Sequence, residues 1–197
     1  MGGIPIQRPP FDEAVRIIQR AIDLGIDFFD TAAVYNDSEK RIGEGVQGHR
    51  DEVVLATKTL GRDKASALKD LDAGLRQLNT DYIDLWQIHN LCTSEQFDQV
   101  LGPGGAMEAA MEAKEEGKVR HIGMSSHNID VALRGVSSGY FETVQFPFNY
   151  VLTKAAEELV PLAREHDVGF IAMKPFADGI WTTPTSSTDT ASRTPET

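Results

Sequence analysis

Four reactive side chains follow apolar stretches of the sequence, and together they could deliver a proton to a carbonyl oxygen. Asp30, Lys58 and His89 each end such a stretch, and Tyr35 comes shortly after Asp30. A tyrosine phenol is a poor acid in water, with a pKa of about 10. We expect the Lys58 ammonium, kept charged by Asp30, to lower the pKa of Tyr35 towards the working pH. The imidazole of His89 would orient the substrate oxygen.

This set supplies only one half of a carbonyl reduction, the proton. The other half is a hydride, which no side chain can provide, so the chemistry requires a nicotinamide cofactor. Taken singly, each residue has an ordinary structural explanation: Asp30 could cap a turn, and Tyr35 or His89 could simply pack. Their position at successive strand ends favours a shared function.

Three other functions stay open at this stage. Lys58 or Lys174 could form a Schiff base with a carbonyl substrate, which would make the protein a lyase. His89, His127 and Asp30 could support metal-assisted hydrolysis, although the sequence has no HxH pair, and we predict no metal site. The chain could also be a catalytically weak or inactive barrel that acts as a binding or regulatory module.

The elements that must position these residues alternate between short β-rich stretches and helical patterns. Such alternation predicts a parallel sheet with helical crossovers, either as a barrel or as an open doubly wound sheet. We favour a (β/α)8 barrel of the TIM type, because there the carboxyl ends of the strands share one mouth. The predicted strands are residues 26–32, 52–58, 82–89, 119–126, 143–150 and 168–175, with 2–7 as a further candidate. The predicted helices are residues 12–24, 36–47, 64–78, 106–116, 129–137 and 153–166, the last with a kink at Pro161.

The count of strands predicts an incomplete barrel. A (β/α)8 barrel needs about 250 residues, whereas this chain has 197 and offers about seven strands, with the eighth missing. We therefore assign residues 1–179 to one barrel domain. Residues 180–197 are rich in Thr, Ser and Pro, and we expect them to form a disordered tail.

Composition excludes several classes of partner. The net charge of −11 disfavours nucleic acid or an anionic membrane as a binding partner. No apolar stretch reaches the roughly 20 residues that a membrane helix needs, and the beginning of the sequence does not resemble a signal peptide. We expect a cytoplasmic protein that acts on a small-molecule substrate. Cys92 is the only cysteine, so the chain cannot form an internal disulfide.

Four motifs resemble the aldo-keto reductases in order and spacing: "DFFDTAAVYNDSEKRIG", "EVVLATKT", "YIDLWQIHN" and "HIGMSSHN". The resemblance implies a (β/α)8 barrel and NAD(P)H-dependent reduction of small aldehydes or ketones. By position, Tyr35 would be the general acid, Lys58 and Asp30 its tuning pair, and His89 the orienting residue. The sequence most resembles a branch of the family that often carries a C-terminal ferredoxin-like domain. This chain lacks the cysteines for such a domain.

The resemblance also implies cofactor contacts, with NADPH expected and NADH an alternative. Ser125 and Gln145 would bind the nicotinamide carboxamide. Ser126 stands where the family usually has Asn, and Met173 stands where an aromatic ring commonly stacks on the nicotinamide. Lys174 could contact a cofactor phosphate. The region that binds the adenosine end in the family has no counterpart that we recognise in this sequence.

Overall fold

The computed structural model describes residues 1–175, and within them it contains six strands and eight α-helices. The predicted boundary at residue 179 and the predicted tail 180–197 lie outside the described residues. The strands are β1 Phe28–Asp30, β2 Val54–Thr59, β3 Ile83–Ile88, β4 Val119–Ser125, β5 Thr143–Pro147 and β6 Gly169–Met173. The helices are α1 Phe11–Asp23, α2 Ser38–Gly45, α3 Lys64–Leu78, α4 Ser94–Leu101, α5 Ala106–Glu115, α6 Ile129–Ser137, α7 Lys154–Glu157 and α8 Leu159–Glu165.

The order of the strands decides between the two folds that the sequence left open. All six are parallel and lie side by side in chain order, from β1 to β6. A doubly wound sheet reverses its strand order at a switch point, whereas a barrel adds each new strand on the same side. The predicted barrel-type fold is therefore confirmed.

The candidate strand at residues 2–7 is wrong. Pro5–Gln7 forms a short 3-10 helix, and this segment touches the sheet only through an isolated bridge between Gly2 and Asp30. Pro5 has no backbone N–H to donate to a ladder, and it occupies the first turn of that helix, where the missing donor costs little.

The predicted helix over residues 153–166 is divided into α7 and α8. Glu158 separates the two, and Pro161 lies in the first turn of α8, where its ring does not displace a helical hydrogen bond. Sequence reasoning missed α4, which is only two turns long and buries only Phe97 and Val100.

Alternation along the strands separates the two faces of the sheet. Thr57 and Trp86 are paired across β2 and β3 on one face, and Lys58 and Gln87 are paired on the other. Trp86 is 1% exposed and belongs to the hydrophobic core. The opposite face carries the polar residues that line the inside of the barrel.

The loops after the strands are fixed by side-chain caps. Asp63 accepts a hydrogen bond from the N–H of Ser66 at the start of α3, and Asn128 accepts one from the N–H of Asp130 at the start of α6. Asn90, in the turn after β3, adopts a left-handed conformation with a φ of 55°. These caps fix the chain next to the residues predicted to be catalytic. No helix among residues 1–175 is long and apolar enough to cross a membrane.

Candidate active site

Lys58 and Asp30 form a buried ion pair on the inner face of the sheet. Lys58 Nζ lies 2.8 Å from both Asp30 Oδ1 and Oδ2, and 2.6 Å from the carbonyl oxygen of Thr31. The Lys58 side chain is 2% exposed and that of Asp30 is 17% exposed. The ammonium thus donates all three of its protons, two to the carboxylate and one to the backbone.

Asp30 also accepts hydrogen bonds from two amide side chains of other strands. Gln87 Nε2 on β3 lies 3.3 Å from Oδ1, and Gln145 Nε2 on β5 lies 3.2 Å from Oδ2. Each carboxylate oxygen therefore receives one proton from Lys58 and one from an amide. Asp30 is the centre of a polar network that joins β1, β2, β3 and β5.

Tyr35 and His89 lie next to this network. Their rings meet edge to face, with centroids 5.8 Å apart and planes at 84°. Lys58 Nζ lies 5.4 Å from the centroid of the Tyr35 ring. The structure thus places Asp30, Tyr35, Lys58 and His89 together, although they come from three different strand ends. Their chemical roles stay predictions.

The predicted direction of the Tyr35 pKa shift is wrong for the protein in this arrangement. Burial, and then the charge of Asp30, raise the pKa of Tyr35 to about 12. The ammonium of Lys58 is bound to Asp30 through both carboxylate oxygens, so the positive charge that should have stabilised a phenolate is largely neutralised. At neutral pH the phenol keeps its proton.

The pKa values of the two neighbouring bases move downwards. Burial lowers the pKa of Lys58, and the charge and hydrogen bonds of Asp30 oppose that shift. Burial, together with the charge of Lys58, lowers the pKa of His89 to about 4. The imidazole is therefore neutral at pH 7 and carries one N–H donor and one acceptor nitrogen.

Ser125 ends β4 and Ser126 follows it, and these two predicted cofactor residues lie in different environments. The Oγ of Ser125 accepts a hydrogen bond of 2.9 Å from the N–H of Asn90, in the turn after His89. The hydroxyl of Ser126 is fully buried; it donates to the carbonyl oxygen of Leu91 at 2.5 Å and accepts a hydrogen bond of 3.0 Å from the backbone N–H of Asn128. Ser126 thus fastens the loop after β4 to the loop after β3, and its cofactor role stays a prediction.

Met173 and Lys174, two further predicted cofactor residues, lie at the end of β6. Met173 is paired with Pro147 across β5 and β6, and its carbonyl oxygen accepts a hydrogen bond from Phe148. Lys174 adopts a left-handed conformation with a φ of 57°, and its carbonyl oxygen accepts a hydrogen bond of 2.9 Å from the side chain of Asn149. Both stand next to β5, which carries Gln145.

Comparison with known proteins assigns the family. The sequence model of the "Aldo/keto reductase family" matches residues 1–196. The chain belongs to the aldo/keto reductase family. It is 31% identical over 185 residues to "Uncharacterized oxidoreductase YqkF" of Bacillus subtilis, covering 87% of this chain and 58% of that protein. It is also 31% identical to "L-galactose dehydrogenase" of Arabidopsis thaliana, covering 87% of this chain and 57% of that protein.

Solved structures of the family have the same fold. Aldo-keto reductase AKR11C1 from Bacillus halodurans, in its holo form, superposes with a TM-score of 0.79 at 28% identity over 94% of this chain and 65% of that one. An aldo-keto reductase from Klebsiella pneumoniae in complex with NADPH superposes with a TM-score of 0.75 at 25% identity over 90% of this chain and 63% of that one. The chain thus spans less than two-thirds of the length of these relatives.

Buried polar atoms on the inner face fit a nicotinamide. Gln145 Oε1 is buried and has no hydrogen-bond partner among residues 1–175, and the same is true of Gln87 Oε1 and His89 Nδ1. A carboxamide group could donate to the free oxygen of Gln145 while the Nε2 of that residue keeps its bond to Asp30. The cofactor role of Gln145 stays a prediction.

His127 lies at the mouth but does not create a metal centre. Its Nδ1 lies 3.1 Å from Asn90 Oδ1, and its N–H donates to Cys92 Sγ. Within residues 1–175 no group of three His, Cys, Asp or Glu side chains could hold a metal ion. The metal-assisted alternative gains no support from this part of the chain.

Sequence reasoning missed two residues that contact the candidate catalytic set. Gln87 binds Asp30, and its position two residues before His89 on the same strand is the signal that could have revealed it. Arg62 Nη2 donates to the carbonyl oxygens of His89 and Asn90 at 2.7 and 3.2 Å. Nothing in the sequence indicated that contact, because it depends on how the loops after β2 and β3 fold against each other.

Proposed function

We propose that this chain carries the catalytic centre of an NAD(P)H-dependent reductase of small aldehydes or ketones, in which Tyr35 donates the proton. The observation that carries the proposal is the position of Lys58. Its ammonium is held by Asp30 and lies 5.4 Å from the ring centroid of Tyr35, and the edge of the same ring meets His89.

The side chains have distinct roles in this proposal. When bound, the reduced nicotinamide supplies the hydride. The neutral imidazole of His89 orients the substrate by donating a hydrogen bond to its carbonyl oxygen. Tyr35 then gives its proton to that oxygen as negative charge develops there. An alkoxide is a much stronger base than a phenolate, so a phenol with a raised pKa still transfers its proton.

Lys58 and Asp30 act as the proton leaves Tyr35. The phenolate is then stabilised by the nearby ammonium, which can share its hydrogen bonds between Asp30 and the phenolate oxygen. Asp30 keeps Lys58 charged against the cost of burial. The pair therefore matters most when Tyr35 is negative, in the transition state and just after it.

For the cofactor site we propose Ser125, Ser126, Gln145, Met173 and Lys174, with NADPH as the first choice and NADH as the alternative. The free oxygen of Gln145 supports this assignment. The Klebsiella pneumoniae relative was solved in complex with NADPH, which supports the choice of that cofactor.

A Schiff-base reaction at Lys58 is disfavoured by the same geometry. Its three protons are donated to Asp30 Oδ1, Asp30 Oδ2 and the carbonyl oxygen of Thr31, so the nitrogen is held as an ammonium and is a weak nucleophile. After treatment with benzaldehyde and borohydride, peptide mapping should show Lys58 unmodified, and a benzyl adduct on Lys58 would favour the lyase.

The proposal predicts that Tyr35→Phe abolishes most of the reductase activity. With benzaldehyde and NADPH we expect kcat to fall by about 10²- to 10⁴-fold, the usual contribution of a general acid. The Kd for NADPH, measured by fluorescence titration, should change less than threefold, since the phenol is not a cofactor ligand. Tyr140→Phe, which changes an exposed tyrosine between α6 and β5, is the matched control. Wild-type activity in Tyr35→Phe would overturn the assignment of the proton donor.

A further inference from the structure

Gln87 is a fully buried amide that touches the centre of the candidate site without being part of its predicted chemistry. It lies on β3 and is paired in register with Lys58 on β2. Its side chain is 0% exposed, and its Nε2 donates to Asp30 Oδ1 over 3.3 Å. Gln87 thus approaches Asp30 from the strand that also leads to His89.

The contacts of Asp30 indicate that an amide at this position can orient the carboxylate. Asp30 ends β1, which is only three residues long, so its side chain receives little support from its own strand. Gln87 and Gln145 bind opposite oxygens of the carboxylate, at 3.3 and 3.2 Å. Two neutral donors on opposite sides fix the plane of the carboxylate without competing for the charge of Lys58.

Gln87 is closely packed against the neighbouring strand. Gly123 on β4 is the register partner of Gln87, and a Cβ atom at Gly123 would lie 2.2 Å from Thr143 Oγ1 and 3.1 Å from the Cγ of Gln87. The Oε1 of Gln87 is buried and has no partner among the described residues, which costs free energy. An apolar side chain of similar volume would avoid that cost, so packing alone does not explain an amide here.

We propose that Gln87 is a positioning residue, which holds the Asp30 carboxylate so that both of its oxygens stay on the Lys58 ammonium. The inference rests on the proposed function, because it assigns Gln87 a task in the same reaction. Gln87 acts through Asp30, which is the one hydrogen-bond partner of its side chain among residues 1–175.

The consequence of losing Gln87 should appear at Lys58. Four groups face this ammonium: Asp30 from β1, Tyr35 from the loop after β1, Glu39 from α2 and His89 from the end of β3. Burial lowers the pKa of Lys58, and Asp30 is the main group that opposes the shift. If Asp30 turns away, the ammonium loses its proton at a lower pH.

Gln87→Met tests this, because Met is similar in volume but cannot donate to Asp30. We expect kcat at pH 7 to fall about tenfold with little change in KM, and the alkaline limb of the kcat–pH profile to move down by about one pH unit. Ile83→Val is the matched control. It shortens a fully buried core side chain at the other end of β3, so it costs stability without removing a hydrogen bond from Asp30 or Lys58. Its kcat and pH profile should stay at the wild-type values.

Gln87→Glu provides a rescue. A glutamic acid can donate to Asp30 only while it carries a proton, and an ionised one would place a second negative charge beside Asp30. The kcat of Gln87→Glu should approach that of the wild type at acidic pH and fall to the level of Gln87→Met at alkaline pH. A flat ratio to the wild type across the pH range would count against the proposal.

A titration that needs no turnover separates the two proposals. Carbon-13 NMR of labelled lysine reports the pH midpoint of Lys58, with Lys58→Arg used to assign its signal. If the wild type reduces no carbonyl but Gln87→Met lowers this midpoint, the positioning inference stands and the proposed function fails. If the wild type is a reductase and Gln87→Met leaves the midpoint and the kcat profile unchanged, the positioning inference is overturned.

Discussion

At the scale of single residues, the site combines the Tyr35 phenol, which is protonated at neutral pH, with the buried Lys58–Asp30 ion pair. In the proposal, the pair stabilises the phenolate. Burial and Asp30 raise the pKa of Tyr35 to about 12. The carboxylate of Asp30, with Oδ2 lying 2.8 Å from Lys58 Nζ, balances the charge of the ammonium. In the proposal, Lys58 helps the phenolate only when the ammonium shares a hydrogen bond with it, so this help favours the transition state over the ground state.

Lys58→Met should destabilise the fold as well as stop the reaction. It would leave the Asp30 carboxylate largely buried without its cation, and breaking one side of a buried ion pair typically costs about 3–5 kcal/mol. Urea unfolding at pH 7 measures this loss. Lys69→Met, which changes an exposed lysine of α3, is the control and should alter the free energy of unfolding by less than about 0.5 kcal/mol. A Lys58→Met protein as stable as the control would show that the pair contributes nothing to the fold.

His89 should make the fold less stable in acid. Burial lowers its pKa from 6.5 to about 4, so between these values the unfolded chain binds a proton that the folded chain does not. Stability therefore falls as the pH drops through this window. The shift corresponds to at most about 3.4 kcal/mol, and the partial exposure of the ring reduces it to about 1–2 kcal/mol.

The His89→Gln variant isolates this effect. Between pH 7 and pH 4 the wild type should lose about 1–2 kcal/mol more stability than His89→Gln in urea unfolding. His166→Gln removes an exposed histidine after α8 and should follow the wild type. Equal acid sensitivity in all three proteins would contradict the buried, neutral state of His89.

At the scale of secondary-structure elements, the helices that cover the sheet must approach one another closely. A Cβ atom at Gly43 of α2 would lie 2.5–2.7 Å from backbone atoms of Gln77 and Leu78 at the end of α3. Only glycine fits at the point where α2 crosses α3. Glu39 lies on α2 and Tyr35 lies in the loop just before it, so this crossing also affects where they stand. The position of α2 thus helps to place the proton donor.

Gly43→Ala should therefore cost about 1–3 kcal/mol, since backbone atoms have to move apart to admit the methyl group. Gly2→Ala is the control, because nothing lies within 4 Å of the position of its Cβ. Thermal unfolding followed by circular dichroism measures both. A Gly43→Ala protein that melts with the wild type would show that α2 can shift freely on α3.

Local patterns predicted some elements to the residue and failed on others. The helices α3 and α6 agree with their predicted bounds, because regular apolar spacing coincides with caps at Asp63 and Asn128. Residues 2–7 were only a candidate strand, and Pro5 favours a helical turn there. The shortness of α4 left no repeat of apolar residues to recognise.

The candidate site was also only partly predicted from the sequence. Reactive residues at the ends of predicted parallel strands pointed to Asp30, Lys58 and His89, since such ends share one mouth. The hydrogen bonds of Gln87 and Arg62, and the burial of the Ser126 hydroxyl, depend on contacts between segments far apart in sequence. The upward shift of the Tyr35 pKa depends on burial, which sequence does not quantify.

At the scale of the whole molecule, the six parallel strands of residues 1–175 follow one another in chain order and bring these distant segments to one mouth. Family membership fixes the architecture, and the Lys58–Asp30 pair beside Tyr35 carries the proposed chemistry. The central claim is that this chain transfers a hydride to a carbonyl carbon while Tyr35 protonates the oxygen.

The most direct measurement is deuteride transfer from NADPH labelled at its transferable position to benzaldehyde, with the alcohol analysed by mass spectrometry. We predict benzyl alcohol with one deuterium from the wild type, and a yield lower by at least about a hundredfold from Tyr35→Phe. Unlabelled alcohol or none from the wild type, or an equal labelled yield from Tyr35→Phe, would contradict the claim.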